Sequence, residues 1–126
     1  MNKRQLAGFF VALMTHSRTD RGMRLTEFRT RCIPAGEIHE MVTTDQSDAV
    51  LGDKIDRVGY LGFAEIASGG VMEVGDPVRI AGTQIGRVLG FDDTHYPNHY
   101  NILIATDRLL TSQDIDVDVE SPITFG

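Results

Sequence analysis

Between two strand-like runs the chain reads Asp92-Asp93-Thr94-His95-Tyr96-Pro97-Asn98-His99, which gathers two carboxylates and two of the four histidines. A connection between strands needs turn formers, and Pro97 and Asn98 supply them. It does not need two imidazoles. Histidine exchanges a proton near neutral pH and ligates transition metals through either ring nitrogen. On a helix the spacing of His95 and His99 would put both rings on one face, but Pro97 lies between them and opposes an interior helical turn. The rings must therefore converge through loop geometry. Asp92 or Asp93 would orient a ring or join it as a ligand, and Tyr96 would line the same pocket. The plainer alternative is a turn in which an aspartate bonds its own backbone and the histidines cap carbonyls.

Two further groups could join them. In Glu37-Ile38-His39-Glu40, a strand puts Glu37 and His39 on one face and Glu40 on the other. Glu37 and His39 with His95 and His99 would make a His/carboxylate site for a divalent transition metal, or an acid–base set. Arg18, Arg21, Arg24, Arg29 and Arg31 are five arginines within fourteen residues. Arginine reads carboxylate and phosphate with a planar fork. If Met23–Ile33 is one strand, Arg29 and Arg31 share a face and suit a small anion. Surface salt bridging to the acidic second half is the plainer use.

The elements that must position these residues read as short strands. Leu6–Thr15 is an apolar first strand. Asp20-Arg21-Gly22 is a turn, and Met23–Ile33 follows as the second strand of a hairpin with the first. GEIHEMVTTD (36–45) could be a strand, and TTDQSDAVLGD (43–53) reads as a loop, where a short helix from Thr44 or Asp45 would lack length. Ile55–Ile66 contains Gly59 and Gly62, which inside a strand mark a bulge or a close backbone approach. Pro77–Ile80, Gln84–Phe91 and Tyr100–Ala105 complete the middle. Asp114–Glu120 alternates Ile115, Val117 and Val119 with acidic residues, the pattern of a half-buried strand. It lacks the calcium-loop arrangement. About eight short, mostly antiparallel strands and no long helix predict an all-β single domain spanning residues 1–126, and the thirteen glycines favour a small curved barrel.

Composition narrows the function. The net charge is −6, with nine Lys/Arg against eight Asp/Glu in residues 1–63 and three against ten in residues 64–126. An acidic chain lacks the electrostatic footprint of a nucleic-acid binder, and without Trp there is little for bases to stack on. Leu6–Met14 is too short to span a bilayer and no cleavage site follows it, so a cytoplasmic protein is expected. The single Cys32 fits a reducing compartment and reads as a small hydrophobe. Phosphate-loop, dinucleotide, C-x-x-C and nucleophile-elbow motifs are missing.

The runs VGDPVRI (74–80) and IGRVLGF (85–91) look like the strand pairs of many small β-barrels. With TDRG, GEIHE, TTD, GYLGF and HYPNHYNI, the whole chain resembles a family of short uncharacterised bacterial β-barrel proteins, which implies a fold standing alone as one domain. A fainter similarity is to the sorbitol-specific IIA proteins of the sugar phosphotransferase system, in length, β-rich pattern and a late G-x-V strand before a proline-containing turn. Their short His-Cys-His segment is missing, so phosphoryl transfer is not carried over. The reading is a cytoplasmic accessory barrel that binds a small anionic metabolite or a protein partner, self-associating as a homo-oligomer. Its ligand-binding residues are Asp92, Asp93, His95, Tyr96, His99, Arg29 and Arg31. The second reading is a metal-assisted or acid–base enzyme using His39, His95, His99 and Glu37.

Overall fold

The computed structural model describes all residues, Met1–Gly126, and is all-β. Twelve strands cover half the chain: β1 Leu6–Leu13, β2 Ser17–Arg18, β3 Met23–Arg24, β4 Thr30–Ile33, β5 Ile38–Thr44, β6 Lys54–Ile55, β7 Val58–Ser68, β8 Gly70–Glu73, β9 Pro77–Ile80, β10 Thr83–Asp92, β11 Asn101–Ala105 and β12 Pro122–Phe125. There is no helix, so none is long and apolar enough to cross a membrane.

One sheet runs in the order β1-β12-β9-β10-β11-β5-β7-β2, and β1 also pairs with β7. That extra pairing closes β1, β12, β9, β10, β11, β5 and β7 into a ring, with β2 attached to β7. All of its pairings are antiparallel except β11 with β5, which run parallel. Two short ribbons, β3–β6 and β4–β8, complete the strand set.

Every strand of the ring sends apolar side chains inward. Leu6, Phe10, Leu61, Ile66, Met41, Ile102, Phe91, Val78, Ile123 and Phe125 belong to one cluster of 18 buried residues. Ile33 and Met72 of the β4–β8 ribbon join it. A second cluster of eight residues lies against the outer face: Val42, Val58, Tyr60, Leu89 and Leu103 of the sheet meet Met23, Leu25 and Ile55. Alternation along β5 therefore sends Met41 into the ring and Val42 out of it. The β3–β6 ribbon is thus an outer cover, which places Arg21 and Arg24 over the sheet.

Closure of β1 on β7 depends on Gly62. It has φ +141°, and its α-carbon faces the Ala12 carbonyl with no room for a side chain. The β5–β7 register shifts at the same point, between Met41 and Val42. This is the bulge or close approach that a glycine inside a strand implies.

Four expectations are corrected. The strands number twelve rather than about eight. β1 forms no hairpin with Met23–Ile33, because it pairs with β12 and β7. Met23–Ile33 is itself broken: β3 pairs with β6 and β4 with β8. Asp114–Glu120 is not a strand. Asp114 instead accepts bonds from the backbone and hydroxyl of Thr111, at 2.8 and 3.2 Å, and Glu120 has φ +78°. Val117 is buried in the core and Ile115 packs against it, while Val119 is 52 % exposed. The alternation there covers Val117 and Ile115 but not Val119, and it builds no strand.

Candidate functional site

Register across the sheet builds a polar row. Asp92 pairs with Asn101, Asn101 with Glu40 and Glu40 with Phe63. Directly paired residues project to the same side, and Glu40 shares its side of β5 with Val42. The row therefore lies on the outer face, immediately beyond the apolar outer cluster. Asp92, Asn101 and Glu40 are all buried, under the 93–99 loop and the segment around Arg21–Arg24.

Asp92 anchors this cover. Its carboxylate accepts bonds from the backbone N–H of Arg24 (2.9 Å), the backbone N–H and hydroxyl of Thr94 (3.1 and 2.9 Å), and the Asn101 amide (2.9 Å). Burial pushes the Asp92 carboxyl up, but these bonds together outweigh burial and hold it below the usual carboxylate range. Because a carboxylate can only accept, the Asn101 nitrogen must face Asp92. Its Oδ1 is thereby turned away, buried and without a partner.

His99 comes down from the loop onto this row. Its Nε2 lies 3.5 Å from Oε1 of Glu40, is buried, and has no hydrogen-bond partner. Its ring meets Phe63 edge-on and stacks on His95, with centroids 5.1 and 5.0 Å apart. Burial lowers the His99 pKa, the neighbouring His95 and His39 lower it further, and nearby Asn101 opposes them without a bond of good geometry. Burial raises the Glu40 pKa; Arg21 pulls it down and Asp92 pushes it up, leaving it above its ordinary value. Arg21 donates to Nε2 of His95 at 3.2 Å. A guanidinium can only donate, so Nε2 of His95 is the acceptor in this contact.

His39 lies on the other side of β5. Its Nδ1 accepts the Tyr100 backbone N–H at 3.0 Å, which leaves Nε2–H to donate to Glu37 at 2.9 Å. Both ring nitrogens are therefore engaged. Arg31 joins this inner group by donating to the Tyr100 hydroxyl at 2.7 Å, its guanidinium 3.8 Å from the Tyr100 ring centroid. Tyr96 packs on Tyr100 with ring centroids 5.4 Å apart.

The structure thus brings His95, His99 and Asp92 to one outer site and gives Glu37 and His39 to each other. No three His, Cys, Asp or Glu side chains converge to hold a metal ion. Asp93 is exposed and lines a groove with Arg24 and Arg31. Arg29 does not share that groove; it lies before β4, beside Val50 and Leu89. Asn101 was not singled out from the sequence, Arg21 entered only as one of five clustered arginines, and Glu40 only as the residue facing away from Glu37 and His39. Glu40 had a usable signal, a carboxylate directly before the apolar pair Met41-Val42 of a strand. Larger grooves of about 580 and 630 Å³ lie along β10 from Gln84 to Leu89 and around Met1–Gln5. Neither touches the histidines.

Fold and site together define a class: an all-β protein built on a ring-closed sheet, carrying a buried carboxylate–imidazole pair on its outer face. The chain belongs to a family of unknown function, DUF6917, which it matches over residues 1–126. No curated protein and no solved structure matches it.

Proposed function

We propose that the ring is a small barrel and that the protein binds a small anionic molecule beneath the 93–99 loop, at Glu40, His99 and Asn101 with Arg21 and His95. The observation that carries this reading is the pair of buried atoms without partners, Nε2 of His99 and Oδ1 of Asn101, beside Glu40. Leaving such atoms unsatisfied costs about 1–3 kcal/mol each. Natural proteins carry few of them, and each has a reason. A ligand hydroxyl or amine would donate to Oδ1 of Asn101 and engage Nε2 of His99. Arg21 has no carboxylate within 4.0 Å, so its fork is free for the anionic end. The ligand class is therefore a hydroxy- or amino-substituted small anion. It reaches these atoms when the loop lifts, since they have no solvent contact when it is closed.

A thermal-shift panel of hydroxycarboxylates and small phosphate esters tests the reading. A true ligand at a hundred times its Kd adds about 2.7 kcal/mol of stability, and Arg21→Gln should remove that gain. If no compound in the panel raises the melting temperature at millimolar concentration, the proposal fails.

A second reading, an acid–base enzyme, draws on one specific feature. Glu40 is shifted up and His99 down, so their proton affinities approach each other across 3.5 Å. Pairs whose proton affinities are drawn together suit proton transfer between the two groups. Glu40 would be the acid and His99 the base, without Glu37 or His39.

Either reading makes Glu40 a stability cost. The folded-state pKa of Glu40 lies above its ordinary value of 4.5. The folded state then keeps a proton that the unfolded chain releases. That contribution is fully present below 4.5 and is lost as pH rises through the folded value. Glu40→Gln is therefore expected to raise the melting temperature at pH 8, with the gain shrinking towards pH 4. A fall in melting temperature at pH 8 would show that the carboxylate is stabilising there.

A further inference from the structure

A second groove lies beside the polar row, next to it through Arg24 and Asp93 but lined by other side chains. Arg24, Leu25, Thr26, Glu27, Phe28, Arg31, Gly52 and Asp93 line a volume of about 420 Å³. Two of these residues carry buried polar atoms without partners, Oγ1 of Thr26 and Nε of Arg31. These are two of the four such atoms in the molecule, and the other two are those of His99 and Asn101. Arg31 is half-buried and has no carboxylate within 4.0 Å.

Its guanidinium is also held in place. The bond to the Tyr100 hydroxyl at 2.7 Å, the Tyr100 face at 3.8 Å and the Phe91 ring at 5.7 Å fix the plane of the fork. A fork fixed by packing loses little entropy when it meets a second partner. Arg24 brings a second guanidinium, bonded through Nη1 to the Gly52 carbonyl at 2.9 Å and also without a carboxylate partner. On the rim, Phe28 is 66 % exposed, the most exposed large apolar side chain after Met1.

We infer that this groove binds an aromatic monocarboxylate, with its carboxylate on Arg31 and Arg24, its ring on Phe28, and the buried Thr26 hydroxyl and Arg31 Nε–H reached as the exposed Glu27-Phe28 segment shifts to admit it. Donors are what the groove has in excess: guanidinium N–H groups and one hydroxyl, all suited to a planar acceptor. Charge sets the preference for a single negative charge. Glu27 and Asp93 also line the groove, so two cations are balanced by two anions and a dianion such as phosphate meets like-charge repulsion. Phe28 supplies a face for an aromatic ring to stack on.

Benzoate, acetate and inorganic phosphate are the probes, followed by NMR on the full chain at the Arg31 Nε–H and at Thr26 and Phe28. Benzoate is expected to bind in the millimolar range or tighter, and acetate and phosphate at least about tenfold more weakly. Arg31→Lys keeps the charge and loses the fork, and should weaken benzoate by about tenfold. Thr26→Val removes an unpartnered hydroxyl, so the fold should hold while benzoate binding weakens. The inference is overturned if benzoate leaves these signals unmoved, if phosphate or acetate binds as well, or if a folded Arg31→Lys or Thr26→Val protein binds benzoate as the parent does.

Discussion

Replacing Asp92 with alanine is expected to destabilise the protein by on the order of 3 kcal/mol, read from chemical denaturation at pH 7. The carboxylate collects four donors from three places: the backbone of Arg24 in the outer cover, both donors of Thr94 in the loop, and the amide of Asn101 in β11. Truncation leaves the Arg24 and Thr94 N–H groups and the Asn101 amide to find water or go unpaired. The cover over the polar row loses its pin, so any ligand binding beneath the loop should be lost with it. Asp92→Asn keeps the shape and separates the charge from the packing. The sign follows from the lowered pKa. Stability from the Asp92 charge is present above its ordinary value of 3.8 and is lost as pH falls through the lower folded value. The asparagine variant should therefore lose stability at pH 7 and show a shallower acid limb than the parent. A loss below about 0.5 kcal/mol for the alanine variant, the size of an ordinary surface change, would refute the pinning role.

The second large effect lies at the ring closure. Gly62→Ala is expected to cost on the order of 4 kcal/mol, or to prevent folding altogether. Two penalties act together. A φ of +141° is a region that side-chain-bearing residues rarely adopt, and the added methyl would be driven against the Ala12 backbone of β1. Neither β1 nor β7 can yield easily, since both are paired on two sides. Gly36→Ala is the control: its φ is +94° but nothing lies within 4 Å of the added atom. It should pay the backbone penalty alone and lose roughly 1–2 kcal/mol. Equal losses at the two positions would mean that the contact with β1 contributes nothing.

The sequence made the loop legible because two imidazoles and two carboxylates are more than a turn requires. The structure places His95, His99 and Asp92 together there. The β class was legible for a similar reason, since short apolar runs punctuated by glycine and proline have few other uses. What could not be read was which strand lies beside which. Glu40 and Asn101 are 61 positions apart and meet only because β11 runs parallel to β5. No local pattern announces a parallel pairing. Arg21 stood in the turn Asp20-Arg21-Gly22 and among five clustered arginines, and nothing local tied it to the histidines; it meets them because the β3–β6 ribbon folds over the outer face. Grouping Glu37 and His39 with the loop histidines assumed one shared side. The alternation along β5 gave that side to Glu40 instead. The acidic run at 114–120 misled in the opposite direction, because apolar and acidic residues can alternate along a segment that is not a strand, with Val117 buried, Ile115 packed on the core and Val119 exposed.

The place of β12 has a consequence for the order of events during folding. Residues Pro122–Phe125 sit between β1 and β9, so the first and last strands of the chain are neighbours. Until the final residues arrive, β1 and β9 each present an unpaired edge, and the seven-stranded ring is an open ribbon with its apolar lining in water. Contacts of such sequence separation form slowly, and open edges pair readily with other chains. The interval before Pro122–Phe125 takes its place is therefore when this chain is most exposed to aggregation, and during synthesis that interval lasts until those residues have left the ribosome.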